Sequence, residues 1–148
     1  MTASLARAVT VTESDDGPYA QLVTVGPHVI SADEDETFGG RDSRPSPYEF
    51  LMAGLGACTA MTLRLYATRH GWPLQKMSVV LRHAKMPSAD GEAKVDRFER
   101  LIYLTGDLTS QQRGRLLEIA DKCPVSQTLQ RPSLVVSSLA EIPASVVA

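Results

Sequence analysis

The chain has 148 residues, 43% of them hydrophobic and 22% charged, with a formal net charge of -2. That size suits one domain able to bury a core without disulfides or structural metal, and the composition excludes a disordered chain. The near-neutral charge, with no concentrated run of Lys and Arg, excludes the broad attraction that drives nucleic-acid binding. The start, Met1 to Thr10, has no basic stretch followed by a long apolar block. It does not read as a secretory signal, so the expectation is one cytoplasmic domain spanning residues 1–148.

In chain order, Leu5 to Thr12 reads as a strand, Asp15-Asp16-Gly17-Pro18 as a turn, and Tyr19 to Val25 as the returning strand. His28 to Ser31 is a third short strand, and the acidic run Ala32 to Glu36 reads as a solvated loop. Phe38 to Pro47, rich in Gly, Pro and Ser, marks a loop with special backbone needs.

From Pro47 to His70 the spacing predicts a long helix with almost no polar face before Arg64, which must be covered nearly all round. Its uncharged stretch, Phe50 to Leu63, is shorter than the roughly 20 residues of a membrane span. A central buried helix is therefore expected, with Gly54, Gly56 and Ala57 admitting close approach of another backbone.

After the break at Gly71-Trp72-Pro73, Met77, Val79 and Leu81 alternate as in a strand, and Asp90-Gly91 signals a turn. A partner strand runs from Arg97 to Thr105 with Phe98, Ile102 and Leu104 on one face. Thr109 and Gln112 form a capping-box pattern that opens a helix to about Lys122, whose inward stripe is Leu116, Ile119, Ala120 and Cys123. Pro124 suits the first position of a short helix to Leu129 with Cys123 as its cap, and Ser133 to Ser137 reads as a final strand. The fold class is α+β, in the order β-β-β-α-β-β-α-α-β.

Chemistry rests on the two cysteines, Cys58 and Cys123. In a reducing compartment they are two thiols, a buried pair or a pair that cycles, rather than a permanent disulfide. A thiol with a pKa of about 8.5 is little ionised at neutral pH, so a nucleophilic cysteine needs a local cause. Cys123 has one in the positive end of the short helix that follows it. Cys58, among apolar neighbours in mid-helix, needs a cation brought by the fold, Arg41 or another arginine. On pattern alone the commoner role of such cysteines is passive packing. Glu49, in the first turn of the long helix, reads first as a helix-start residue and lies on the side opposite Cys58. His28, His70 and His83 have no metal-ligand spacing, so zinc is not expected. Gly39-Gly40 is too short for a phosphate loop, and no nucleotide fingerprint is present.

Two segments carry a resemblance. The first is Arg41 to Leu63, with Pro47-Tyr48-Glu49 opening a helix and Ala57-Cys58-Thr59-Ala60 at its centre; the second is Ala120 to Leu129, with Cys123-Pro124-Val125. In this order they resemble the OsmC/Ohr family, over about Gly39 to the C-terminus. The resemblance implies an intertwined homodimer, with a curved antiparallel sheet around long central helices and active sites at the subunit interface. It also implies a thiol peroxidase acting on organic hydroperoxides. Cys58 would attack the peroxide and become a sulfenic acid, and Cys123 would resolve it as a disulfide. A lipoyl-type dithiol is the implied reductant, with no bound cofactor, no metal, no nucleic acid and no membrane. The family's acid directly follows the proline, where this chain has Tyr48, so Glu49 is shifted by one residue. The family's activating arginine lies in the N-terminal part of the chain. Arg41 is favoured because its glycine-flanked loop precedes the Cys58 helix, with Arg7 and Arg44 as rivals. The competing reading is a non-enzymatic module that binds a small apolar ligand or a protein, with both cysteines structural.

Overall fold

Three short strands open the fold. A computed structural model of the chain describes residues 7–141. In it, β1 (Thr10–Glu13), β2 (Gln21–Val25) and β3 (His28–Ala32) form one antiparallel sheet in that order. Val11 lies opposite Val23, and Val23 opposite Ile30. The first strand starts later than the pattern predicts: Ala8 and Val9 are irregular, and Leu5 lies outside the described residues.

Asp33 organises the loop from this sheet to the long helix. Its Oδ2 accepts the amides of Arg41 (3.2 Å) and Ser43 (3.1 Å) and the Ser43 hydroxyl (2.7 Å). These bonds, the Ser43 hydroxyl foremost and then the Glu34 and Ser43 amides, hold its carboxyl pKa down at about 2. Asp33 is buried, so the expectation of a wholly solvated acidic run is corrected. Asp35 is also committed, capping a 3-10 turn, Glu36–Phe38, through the Thr37 and Phe38 amides. Gly40 passes so close to the Glu34 carbonyl that no Cβ fits there, which is the backbone need the loop composition signals.

Helix α1 (Pro47–Arg69) begins with Ser46 as N-cap and Pro47 in the first turn. Leu55, Thr59, Leu63 and Ala67, spaced by four, make its buried stripe. It packs on strand β4 (Lys76–Pro87) and on helices α2 (Ser110–Ala120) and α3 (Pro124–Leu129). The core joins Leu63 and Ala67 to Leu74, Leu108, Leu116, Ile119 and Ala120. By length and composition alone α1 could cross a membrane, but its stripe is spent on these neighbours. The expectation of cover nearly all round is not met within one chain. Gly54, Ala57, Met61, Leu65 and Thr68 are exposed along the opposite face, and Met61 is 71% exposed.

Strand β4 pairs with β5 (Lys94–Thr105) as a long antiparallel ribbon, its turn closed by the Ser88 amide on the Ala93 carbonyl at 2.7 Å. On the inner face Met77 meets Leu104, Val79 meets Ile102, Leu81 meets Arg100 and His83 meets Phe98. A two-stranded ribbon is marginal alone and depends on a helix against it. Gly56 permits that contact, since a Cβ there would stand 2.7 Å from Leu81 Cδ1. Thr109 and Gln112 exchange the expected capping bonds, each 3.0 Å, at the start of α2. The helix stops at Ala120, short of the predicted Lys122, where Asp121 caps it.

Within the single chain the strands form a three-stranded and a two-stranded sheet. The fold is α+β with antiparallel strands, with one correction. The final strand expected over Ser133 to Ser137 does not form: the segment is irregular, and Leu134 is 89% exposed. A strand exists only by pairing its amides and carbonyls, and no described strand lies against this segment.

Candidate active site

The packing of α1 on α3 brings the two cysteine segments together. Cys123 is wholly buried at the N-cap of α3, where its Sγ accepts the Ser126 amide at 3.3 Å. Cys58 is half-buried, on the border between the covered stripe of α1 and its uncovered face. Both are free thiols.

Thr59 joins them. Its hydroxyl donates to the Leu55 carbonyl at 2.7 Å and stands 3.8 Å from Cys123 Sγ. With that proton committed to Leu55, the Cys123 thiol is left as donor to Thr59. Neighbours on a helix lie about 100° apart, so Cys58 leaves α1 roughly that far around from the side chain touching Cys123. Thr59 rather than Cys58 is therefore the residue of α1 that touches Cys123.

One residue escaped the sequence reading. Arg100 sits on the inner face of β5, its side chain 14% exposed. It donates to Thr59 Oγ1 (3.0 Å), to the Ala120 carbonyl (2.9 Å) and to Asp121 Oδ1 (2.8 Å). The signal was in the alternation: Arg100 shares its parity with Phe98, Ile102 and Leu104, and a guanidinium on an apolar strand face requires partners. A cleft of about 730 Å³ opens beside it, lined in part by Leu55, Phe98, Arg100, Asp121, Ser126 and Leu129.

The arginines favoured from sequence lie elsewhere in the single chain. Arg41 donates to the Asp16 carbonyl at 3.1 Å, Arg44 to the Ser43 carbonyl at 2.6 Å, and Arg7 lies against Gly26 in the turn between β2 and β3. Glu49 accepts the Ser46 amide at 2.9 Å, and that bond, first among the causes, lowers its carboxyl pKa. It acts there as a helix-start residue. Tyr48, at the family's acid position, stacks on His83 with centroids 4.5 Å apart, and Phe98 lies on from His83 at 4.8 Å. Asp96 takes the His83 ring (2.8 Å) and the Lys85 ammonium (3.0 Å), which lower its carboxyl pKa in that order. Among the described residues no three His, Cys, Asp or Glu side chains are grouped to hold a metal.

Known proteins agree with this fold. The family model described as OsmC-like protein matches residues 40–138, which include both cysteines, Thr59 and Arg100. An organic hydroperoxide resistance protein OsmC from Legionella pneumophila is 17% identical with a TM-score of 0.67, covering 86% of this chain and 91% of its own. An OsmC like protein from Mycoplasma pneumoniae is 15% identical with a TM-score of 0.70, covering 86% and 89%. An organic hydroperoxide resistance protein from Elizabethkingia anophelis is 20% identical with a TM-score of 0.66, covering 86% and 90%. No curated protein sequence matches the chain. At these identities the structures establish the fold alone, while the family model spans well over half the chain; the protein belongs to the OsmC-like family.

Proposed function

We propose that this protein is a cysteine-based thiol peroxidase that reduces organic hydroperoxides. The observation that carries this reading is the convergence of the Cys58 and Cys123 segments on one site, with Thr59 beside the one thiol and against the other. Two of the structural relatives are organic hydroperoxide resistance proteins by description. In the first step the Cys58 thiolate attacks the terminal peroxide oxygen, the S–O bond forms as the O–O bond breaks, and the departing alkoxide takes up the proton released when the thiol ionised and leaves as the alcohol. The sulfenic acid on Cys58 then condenses with the Cys123 thiol, forming the disulfide and releasing water. A lipoyl-type dithiol restores both thiols.

A homodimer belongs to the proposal. The uncovered apolar face of α1 and the exposed, unpaired segment through Leu134 and Val135 are of one character, and a second copy offers cover to the first and a strand partner to the second. Arg41 retains a catalytic part only if the dimer carries it across to Cys58, and Glu49 only if it holds the arginine that arrives there. The second reading, a non-enzymatic binding module, is favoured by one observation: Cys123 is sealed from solvent and already serves as a helix cap.

Consumption of cumene hydroperoxide with dihydrolipoamide separates the two. Cys58→Ser should abolish turnover, and Cys123→Ser should permit one oxidation of Cys58 and then stop. A wild type no faster than Cys58→Ser would remove the peroxidase.

A further inference from the structure

Arg100 is placed to govern Cys123 rather than Cys58. Its Nη1 reaches Cys123 by two routes, each through one shared acceptor. Ala120 O accepts Nη1 at 2.9 Å and the Cys123 amide at 3.3 Å. Thr59 Oγ1 accepts Nη1 at 3.0 Å and stands 3.8 Å from Cys123 Sγ. The remaining bond, Nη2 to Asp121 at 2.8 Å, ties the same guanidinium to the turn between α2 and α3. One cation thus holds the backbone before Cys123 and the hydroxyl beside its sulfur, from a strand that carries neither. Its place at the carbonyl end of α2 is one that a helix dipole favours.

We propose that Arg100 is the positioning residue of Cys123: it fixes the junction between α2 and α3, keeps the thiol sealed beside Thr59, and sets how readily that thiol is delivered. On the peroxidase reading, delivery is to the Cys58 sulfenic acid. There the S–S bond forms, the S–OH bond breaks, and the Cys123 proton leaves with the hydroxyl as water; the hydroperoxide is the oxidant. Arg100 acts in that second step and not in the attack on peroxide. The Asp121 carboxylate is largely exposed and lines the cleft, so the bond most open to competition from solvent or an incoming reductant is the one to Asp121.

The test reads the thiols without peroxide. N-ethylmaleimide modification of Cys58 and Cys123 is followed separately by mass spectrometry in the native full-length protein. The variants are Arg100→Gln, Arg100→Lys and a destabilised control, Leu116→Ala, each compared at the same interval below its own Tm. Arg100→Gln should raise the Cys123 rate at least tenfold above the control while Cys58 stays within about twofold, and Arg100→Lys should recover part of the protection. An unchanged Cys123 rate, or both cysteines accelerating in step, would overturn the proposal. If Arg100→Gln does not fold, Thr59→Val and Asp121→Ala each remove one acceptor of the guanidinium and should give the same split at two- to tenfold; no split in either overturns it as well. Loss of peroxide consumption by the wild type with the split intact would remove the enzyme and leave the positioning in place.

Discussion

Replacing Thr59 by valine isolates the hydroxyl at the centre of the site. The side chain is fully buried, and valine keeps its shape, so the change removes one oxygen and opens no cavity. Arg100 loses its 3.0 Å bond to Oγ1 while Nη1 keeps the Ala120 carbonyl; the back-bond to the Leu55 carbonyl and the 3.8 Å contact with Cys123 Sγ go as well, and both contribute little. A hydrogen bond from a charged donor contributes about 1.5–3 kcal/mol, and the surviving acceptor places this one at the lower end. The new buried methyl offsets about 0.8 kcal/mol. The expected net loss is about 1 kcal/mol, or a fall in Tm of roughly 2–4 °C for a chain of this size. Urea unfolding at one protein concentration, followed through the single Trp72 packed on Tyr66, reads it as a lower midpoint with an unchanged slope. A double-mutant cycle with Arg100→Met should give a coupling of about 1 kcal/mol. Zero coupling would mean that Arg100 draws nothing from the hydroxyl, and the network would be refuted.

Three further outcomes are expected. Leu116→Ala, at a fully buried core position, should cost about 2.7–5 kcal/mol, seen as a Tm lower by roughly 5–20 °C; a loss under about 1 kcal/mol would place the core elsewhere. Asp33 has a folded pKa of about 2 against an ordinary 3.8, so its contribution to stability is complete above the ordinary value and disappears as pH falls through about 2. Asp33→Asn should therefore be less stable than wild type at pH 6 and approach it by pH 2, and a gap that stayed constant in acid titrations would contradict the assignment. Met61→Glu puts a charge on the uncovered face of α1 and should turn the proposed dimer into a monomer in sedimentation velocity; a monomeric wild type would refute the dimer, and a variant that stays dimeric would refute this face as its interface.

The sequence was most informative where the cause of structure is local. Pro47 and Glu49 at one helix start, the reciprocal Thr109 and Gln112 caps at another, and the alternation of Met77, Val79 and Leu81 act within a few residues and could be read directly. Asp33 looked like part of a charge run, because burial of one carboxylate among four acids depends on amides eight and ten positions onward. Arg100 was missed for a similar reason: strand parity placed it inward, but its acceptors come from helices twenty and forty-one residues away along the chain. Arg41 was favoured by nearness in sequence to the Cys58 helix, and in the single chain its guanidinium turns back to the Asp16 carbonyl. The stretch around Leu134 has the apolar pattern of a strand, yet pattern cannot supply the neighbour that a strand requires.

The contact between Thr59 and Cys123 closes a span of 64 residues that includes the whole ribbon and α2. Closing a loop of that length carries an entropic cost, so the contact holds only once α1 is packed on α3. Until then the sulfur atoms have no geometric preference for one another over thiols on other molecules. On the proposed cycle, an internal cross-link between them would accordingly report chains in which α1 and α3 have already met.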